Sequence, residues 1–335
     1  MNPRVFNIVS LDVGGTKIAG GIVSYNVNEN PVPQVLSYRT IPTNAKEGGD
    51  AVLARATAFA ESFLQEAGFI PGEGQSDPKR IPVLGIGISA AGTVDPHDGS
   101  IAFANEIMPG WMGQPVRAHI EQTFGLPCAV LNDVHAHALG ELKHGSAAGA
   151  QTALVVATGT GVGGAVIVDG HLLYGKHGFA GMLGHTLHHL AEGHRCACGI
   201  EGHLEAVASG SGMEACYREA AAKAGRPPEE YERITGPEIS KRAYAGEPLA
   251  LQILDTAGRS LGESIASWAS IFDPDVVVVS GSVTNAGPLW RQALDDGLHS
   301  RLMQEFSDIK VVDATLGAHA PLIGAAEKLL EQLAQ

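Results

Sequence analysis

Short apolar runs and glycine-rich turns alternate along the chain in a pattern that predicts a mixed α/β protein. Apolar runs bounded by glycine or polar residues predict strands, and apolar positions three or four residues apart predict helices. The predicted strands cover 6–12, 18–25, 81–88, 128–131, 153–157, 165–168 and 275–280. The predicted helices cover 51–67, 114–124, a segment starting near Asp133, most of 204–272, and 322–333.

One arrangement, a strand followed by a Gly-rich turn and a second strand, occurs twice, at 6–25 and at 153–168. In both copies the turn leads into a strand, whereas a P-loop or a Rossmann dinucleotide site requires a helix after its Gly loop. Neither of those motifs therefore applies. The repeat predicts a duplicated α/β architecture with one phosphate-facing hairpin in each half and the nucleotide between two lobes.

The first Gly turn carries the residue types that suit a phosphate site. Glycine lets the backbone approach an anion closely, and a threonine and a lysine add a hydroxyl and a positive charge. An aspartate ends the preceding strand, where its carboxylate suits a Mg²⁺ ion bound to phosphate. The residues predicted to bind here are Asp12, Gly14, Gly15, Thr16 and Lys17. The alternative is an ordinary β-hairpin turn.

The second Gly turn has four glycines within the six residues 159–164. Glycine loses more backbone entropy on folding than any other residue, and the close approach of a phosphate would explain that cost. The residues predicted to bind here are Thr158, Gly159, Thr160, Gly161 and Gly163. The alternative is a tight turn with a bulge.

Asn132 and Asp133 follow the apolar strand 128–131. Proteins with α/β sheets bind ligands at the carboxyl ends of their strands. A carboxylate there can accept the proton of a hydroxyl that attacks phosphorus, so we expect Asp133 to be a general base. The alternative is a helix cap, because aspartate is common just before a helix.

Composition and charge narrow the class of protein. The 335 residues suffice for two domains, and no apolar run approaches the ~18 residues of a membrane span. The N-terminal residues lack the pattern of a signal peptide, so we expect a cytoplasmic protein with reduced cysteines and no membrane partner. The net charge of −14, without a basic run, argues against nucleic acid as a partner.

Six segments, taken in order, resemble the ROK sugar kinases: LDVGGTK, SAAG, NDVHAHALGE, ATGTGVGGAV, GHTLHHLAEGHRCACGIEGHLEAVASG and VVVSGSV. The match spans nearly the whole chain, and the combination is far more specific than any single glycine motif. The resemblance implies an actin/hexokinase-like ATPase fold of two ribonuclease-H-like lobes, with nucleotide and sugar in the cleft. We expect a small lobe of 1–118 plus 315–335 and a large lobe of 119–314 that contains a zinc segment, 185–203.

The resemblance also implies an activity, the phosphorylation of a sugar 6-hydroxyl by ATP with Mg²⁺, and a homodimer. Asp133 is then the catalytic base, and Gly281 and Ser282 flank the adenosine. The implied sugar contacts are Gly92, Asn105, Asn132, Asp133, His185 and Glu205. The substrate is a hexose or an N-acylhexosamine, with N-acetylmannosamine as the best single candidate and glucose as the alternative. A sugar-sensing ROK protein without catalysis is a further alternative.

The chain departs from the family pattern at two positions. Met182 replaces a glutamate that contacts the sugar in the family, and His203 replaces the third cysteine of the zinc motif. Zn²⁺ accepts imidazole as readily as thiolate, so a structural zinc site remains the expectation. The predicted ligands are His185, Cys196, Cys198 and His203. The alternative is an idle pair of reduced cysteines, with His188, His189 and His194 as solvated loop residues.

Overall fold

The computed structural model describes residues 5–26, 30–75, 77 and 79–334. The strands are β1 (Val5–Val13), β2 (Lys17–Asn26), β3 (Asn30–Pro42), β4 (Phe69–Ile70), β5 (Gly74–Gln75), β6 (Val83–Ala90), β7 (Thr93–Val94), β8 (Ile101–Phe103), β9 (Cys128–Asn132), β10 (Ala153–Thr158), β11 (Val162–Val168), β12 (His171–Leu172), β13 (Val276–Ser280) and β14 (Val311–Asp313). The α-helices are α1 (Gly49–Glu66), α2 (Val116–Phe124), α3 (Asp133–His144), α4 (Glu205–Ala208), α5 (Gly210–Lys223), α6 (Gly236–Tyr244), α7 (Pro248–Phe272), α8 (Pro288–Arg301) and α9 (Ala320–Leu333).

The chain divides into two compact units. The first comprises Met1–Gly149, Tyr174–Ala180 and Thr315–Gln335, and the second comprises Ala150–Leu173 and Gly181–Ala314. No helix in the described part of the chain is both long enough and apolar enough to cross a bilayer.

The first unit is built on a five-stranded sheet in the order β3-β2-β1-β6-β9. The β1–β2 and β2–β3 pairs are antiparallel, whereas β1, β6 and β9 run parallel. Alternate side chains of β1 point to opposite faces. Val9 and Leu11 lie in a core with α1, while Phe6 and Ile8 lie in a core with α9. The carboxyl ends of the three parallel strands therefore share one edge between two packed faces.

The second unit repeats this topology with the order β12-β11-β10-β13-β14. The β10–β11 hairpin is antiparallel, and β10, β13 and β14 run parallel. The two strand–turn–strand copies predicted from the sequence thus occupy equivalent positions in two sheets. The predicted duplication is confirmed, and so is the predicted α/β fold class.

The predicted lobe boundaries differ from the two units at Tyr174–Ala180 and in the segment 119–149, both of which we expected in the large lobe. Most of the difference is the segment 119–149. The reason lies in the contacts of β9 and α3. Strand β9 pairs with β6, and α3 packs on α9, with the Gly324 backbone against the Ala136 carbonyl. Strand β9 is therefore part of the sheet of the first unit, and helix α3 packs within the same unit.

Candidate functional site

Polar side chains of the first unit meet where β1, β6 and β9 end. Asp12 Oδ1 accepts a hydrogen bond of 2.6 Å from Ser89 Oγ. Asn132 donates through Nδ2 to the Gly92 carbonyl at 2.7 Å and to Asp133 Oδ1 at 2.8 Å. Three neighbouring parallel strands thus bring two carboxylates, an amide and a buried hydroxyl to one edge. Asp133 lies at the carboxyl edge of a sheet, which is where the sequence placed it.

Asn132, and not Asp133, caps helix α3. Its side-chain oxygen accepts from the backbone N–H of Val134 at 3.0 Å and of His135 at 3.2 Å. Asp133 is the first residue of the helix, and its Oδ1 accepts from Val134 N at 2.8 Å. Because the neighbouring asparagine supplies the cap, capping does not by itself account for the carboxylate at position 133.

The environment of Asp133 changes its protonation. Burial raises the pKa of Asp133 to about 6, and the carboxylate of Asp12 acts in the same direction, against the hydrogen bonds from Val134 and Asn132. Burial also raises the pKa of Asp12, while the hydrogen bond from Ser89 and the charge of Lys17 lower it. A carboxylate whose pKa approaches neutrality is suited to accept a proton from a substrate.

The first Gly turn joins β1 to β2 with its polar side chains turned outward. Gly14 N donates to the Lys17 carbonyl at 3.0 Å, which closes the turn. Thr43, a buried residue directly after β3, holds this turn in place. Its Oγ1 donates to the Gly14 carbonyl at 2.6 Å, and its backbone N–H donates to the Thr16 carbonyl at 3.0 Å. The Thr16 and Lys17 side chains are exposed. Thr43 carried no motif in the sequence that would have revealed this role.

Two of the predicted sugar contacts, Asn105 and Gly92, lie near this turn or near the carboxyl ends of the parallel strands. A side chain on Gly15 would lie 3.1 Å from Ile107 Cγ2, and Asn105 Oδ1 accepts from the Ile107 N–H at 3.1 Å. Asn105 is itself exposed. Gly92 has a φ of +95°, and a Cβ there would lie 2.4 Å from the Phe103 carbonyl. Packing alone therefore requires glycine at position 92.

The second unit contains a cavity of about 450 Å³ beside its Gly turn. Three predicted nucleotide-site residues, Gly159, Thr160 and Ser282, line it. Its other lining residues are Gly210, Ser211, Met213, Glu214, Gly236, Pro237, Ser240, Val283, Asn285 and Ala286. These residues come from segments far apart in the sequence and share no common motif. Gly210 and Val283 lie in family-like segments, but nothing in the sequence indicated that the set lines one cavity. Helices α5 and α6 both begin at this cavity, and helix N-termini favour anions.

The remaining residues predicted around this turn have packing roles. The hydroxyl of buried Thr158 donates to the Ala208 carbonyl at 3.0 Å. Gly281 has a φ of +97°, and a Cβ there would lie 2.1 Å from the Thr158 carbonyl. Gly163 pairs with Ala157 within the hairpin. By contrast, a Cβ on Gly159 would meet only Ser282 Oγ, at 3.7 Å, so the turn is open on the side of the cavity.

The structure brings all four predicted zinc ligands together. One donor atom from each of His185, Cys196, Cys198 and His203 lies within 4.8 Å of the others. The two Nδ1 atoms are 3.3 Å apart, Cys196 Sγ is 3.7 Å from His185 Nδ1, and Cys198 Sγ is 3.2 Å from His203 Nδ1. A tetrahedral zinc ion separates two nitrogen ligands by about 3.3 Å and a nitrogen from a sulfur by about 3.6 Å. The donor set therefore fits zinc.

Backbone geometry permits this Cys/His cluster, whereas burial and charge oppose a bare thiolate in it. Gly199 and Gly202 have φ values of +90° and +86°, so glycine at these positions permits the turn that joins Cys198 to His203. Burial raises the pKa of the Cys196 thiol to about 12, and the carboxylate of Glu205 adds to this effect. A thiolate at position 196 thus needs a bound cation to stabilise it.

His188 is not the solvated loop residue that the alternative reading expected. Its side chain is buried beside Glu263, with Nε2 3.6 Å from Glu263 Oε2. Its Nδ1 accepts from the Leu190 N–H at 3.2 Å, so the proton of the neutral ring is on Nε2. This tautomer cannot bind a metal through Nε2. His188 instead lies against Glu263 of helix α7.

Comparison with known proteins gives matches along nearly the whole chain. The profile of the ROK family matches residues 8–332. A glucokinase of Streptomyces coelicolor is 31% identical over 95% of this chain and 96% of that protein. An N-acetylmannosamine kinase of Salmonella typhi is 30% identical, again over 95% and 96%. The solved structure of a ROK family glucokinase from Streptomyces griseus, in complex with glucose and AMPPNP, is 28% identical and superposes with a TM-score of 0.74 over 96% of this chain and 98% of that one.

Proposed function

The chain belongs to the ROK family, and we propose that it is an ATP-dependent kinase for the 6-hydroxyl of a hexose or an N-acylhexosamine. The observation that carries the proposal is Asp133. Its carboxylate stands at the carboxyl edge of three parallel strands, beside Asp12, and its pKa is raised to about 6. These are the position and the acidity of a general base.

In the proposed reaction, Asp133 accepts the proton of the sugar 6-hydroxyl while the hydroxyl oxygen bonds to the γ-phosphorus of ATP. The bond from that phosphorus to the β,γ-bridging oxygen breaks, and ADP leaves. The products are a sugar 6-phosphate, ADP and a proton that passes from Asp133 to water. We assign Asp12 to the Mg²⁺ that accompanies ATP, and Thr16 and Lys17 to its phosphates.

We assign the cavity of the second unit to the adenosine. Buried Met213 and Val283, with Ala286, give it an apolar wall for a base, and Ser211, Glu214 and Asn285 add polar groups. The open turn at Gly159 and Thr160 then serves the phosphates. The AMPPNP held by the Streptomyces griseus relative supports ATP as the phosphoryl donor.

We assign a structural Zn²⁺ to His185, Cys196, Cys198 and His203. The donor separations and the two sulfur and two nitrogen donors support this assignment. When bound, zinc would cross-link the segment and order His185, which we also propose as a sugar contact. We place no step of the phosphoryl transfer on this metal.

Sequence identity does not distinguish between the two sugars, because the glucokinase and the N-acetylmannosamine kinase named above are 31% and 30% identical to this chain. Met182 does distinguish this chain from the family pattern. It is exposed and lies directly before the short turn that carries His185. An apolar thioether there suits an acetamido methyl group better than a hydroxyl, so N-acetylmannosamine is the first candidate and glucose the second. The cytoplasmic location and the homodimer remain predictions.

A panel of sugars tests the proposed activity. Purified protein with Mg-ATP should release ADP only when a sugar is added, and kcat/KM should be higher for N-acetylmannosamine than for glucose. The Met182→Glu variant should shift this ratio toward glucose, because it restores a carboxylate acceptor for a sugar hydroxyl. Sugar binding without ADP release, for every sugar in the panel, would instead support the sugar-sensing alternative.

A further inference from the structure

Thr43 is a fully buried residue that links helix α1 to the first Gly turn. Its carbonyl accepts from Arg55 Nη1, on helix α1, at 2.5 Å. Its Oγ1 donates to the Gly14 carbonyl at 2.6 Å, and its backbone N–H donates to the Thr16 carbonyl. Thr43 is therefore held by a helix of the core on one side and holds two carbonyl groups of the turn on the other.

The hydroxyl of Thr43 fixes the orientation of the peptide group between Gly14 and Gly15. This peptide is trans, so its carbonyl and its N–H point in opposite directions. Because the Gly14 carbonyl points to Thr43, the Gly15 N–H points away from Thr43. Gly15 is partly exposed, and among the residues that the structure describes no acceptor takes its N–H. The turn therefore presents an open backbone donor whose direction is set by a buried hydroxyl.

We propose that Thr43 is a positioning residue for ATP, which directs the Gly15 N–H to an oxygen of the bound phosphates. This inference rests on the proposed function, since it takes the first Gly turn as a phosphate site. Backbone N–H groups that are oriented before binding hold an anion at a smaller entropic cost. Without the hydroxyl, the peptide between Gly14 and Gly15 is free to rotate, because two successive glycines offer little steric resistance.

The Thr43→Val variant tests this role, because valine keeps the shape of the side chain and the backbone N–H bond but lacks the hydroxyl. ATP binding should weaken by roughly 3–10-fold, the effect of one lost hydrogen bond, while sugar affinity stays near wild type. Thr43→Ser retains a hydroxyl and should restore ATP affinity. Isothermal titration with Mg-ATP alone, and with the best sugar of the panel alone, gives both affinities. An ATP affinity that is unchanged in Thr43→Val overturns the inference.

Thr57→Val is the matched control. The Oγ1 of Thr57 donates to the Leu53 carbonyl at 2.8 Å, within helix α1. This variant also loses a hydroxyl bond to a backbone carbonyl of the first unit, but the bond lies outside the turn, so ATP affinity should equal that of wild type. If Thr43→Val loses ATP and sugar affinity together, in proportion to a fall in its melting temperature, Thr43 supports only the fold and the inference is overturned.

A measurement on the wild type tests the inference even if Thr43→Val does not fold. In ¹⁵N-labelled wild type, the amide resonance of Gly15, assigned by comparison with Gly15→Ala, should shift when Mg-ATP is added without sugar. An ATP complex in which the Gly15 amide does not respond overturns the inference. If isothermal titration shows that the wild type does not bind ATP at all, the proposed function fails first, so the two failures are distinguishable.

Discussion

At the scale of single residues, two adjacent side chains, Asn132 and Asp133, have different roles. Asn132 caps helix α3 through two backbone N–H groups, which leaves Asp133 available for chemistry. The sequence presented this as an open choice between a cap and a base, because aspartate is a good cap in isolation. Only the three-dimensional contacts show which of the two residues takes the cap.

The raised pKa of Asp133 predicts the pH dependence of the reaction. A base must be unprotonated, so kcat/KM should fall about tenfold per pH unit below a pKa of about 6 and level off above it. The measurement is kcat/KM for the best sugar between pH 5 and 8, with ATP in excess. A profile that stays flat from pH 7 to pH 5 would show that no group with this pKa controls turnover.

The glycines of the second turn and of the strand that follows in the same sheet have different structural causes, which the sequence alone did not distinguish. The number of glycines in the second turn suggested phosphate approach, yet Gly164 is required there by packing against Leu183. Gly281, which follows β13, is likewise required by packing against the Thr158 backbone. Gly161 leaves room for Glu205. Gly159, by contrast, keeps open space beside the cavity. A glycine motif indicates that a side chain is not tolerated at a position, but it does not indicate which neighbouring group would clash with that side chain.

At the scale of elements, the predictable features were those with a strong local pattern. Both hairpins and the apolar strand β13 were predicted close to their observed bounds. Strand β3, helix α8 and strand β14 were not predicted. Strand β3 pairs with its neighbour β2, whereas β14 pairs with β13 across helix α8, so contacts between residues distant in the sequence decide where β14 forms. The cavity was missed for the same reason, because its walls come from separate helices and the turn after β13.

The Cys/His segment gives a prediction at this scale. His203→Ala should lower zinc content well below one ion per chain and raise KM for the sugar, because a ligand is lost and His185 is no longer held. His203→Cys should keep zinc and sugar affinity near wild type, since thiolate and imidazole both suit zinc. Elemental analysis of protein purified without chelators, together with sugar KM, provides the measurement.

His194→Ala serves as the control for these variants. His194 lies in the same segment, but its Nδ1 is 3.6 Å from Cys216 Sγ and 3.4 Å from Glu219, outside the Cys/His cluster. It should therefore retain zinc. Wild-type protein that holds no zinc and still phosphorylates sugar would contradict the metal assignment and favour an idle cysteine pair.

At the scale of the whole molecule, the same strand order occurs in both units, and the residues to which we assign functions lie in both. The first unit holds Asp12 and Asp133, and the second holds the cavity and the Cys/His cluster. The duplication was predictable from two copies of one pattern. The boundaries were not, because membership of residues 119–149 is decided by the pairing of β9 with β6 and by the packing of α3 on α9.

The Asp133→Asn variant separates a catalytic base from a carboxylate with a structural role only. Asparagine keeps the shape and can keep the contacts with Asn132 and Val134, but it cannot accept the proton. The variant should be no less stable than wild type at pH 7.5. The carboxyl of Asp133 has a higher pKa in the folded state than its usual 3.8, so the free energy of unfolding of the wild type falls as the pH rises from 3.8 through about 6.

The decisive measurement is the rate of sugar 6-phosphate formation from Mg-ATP by wild type and Asp133→Asn, with the product identified by phosphorus NMR and ATP affinity measured in parallel. The account predicts a sugar 6-phosphate from wild type, and a kcat lower by roughly 10²–10⁴-fold in the variant at unchanged ATP affinity. A variant that forms the same product at near wild-type kcat would contradict the assignment of Asp133 as the base.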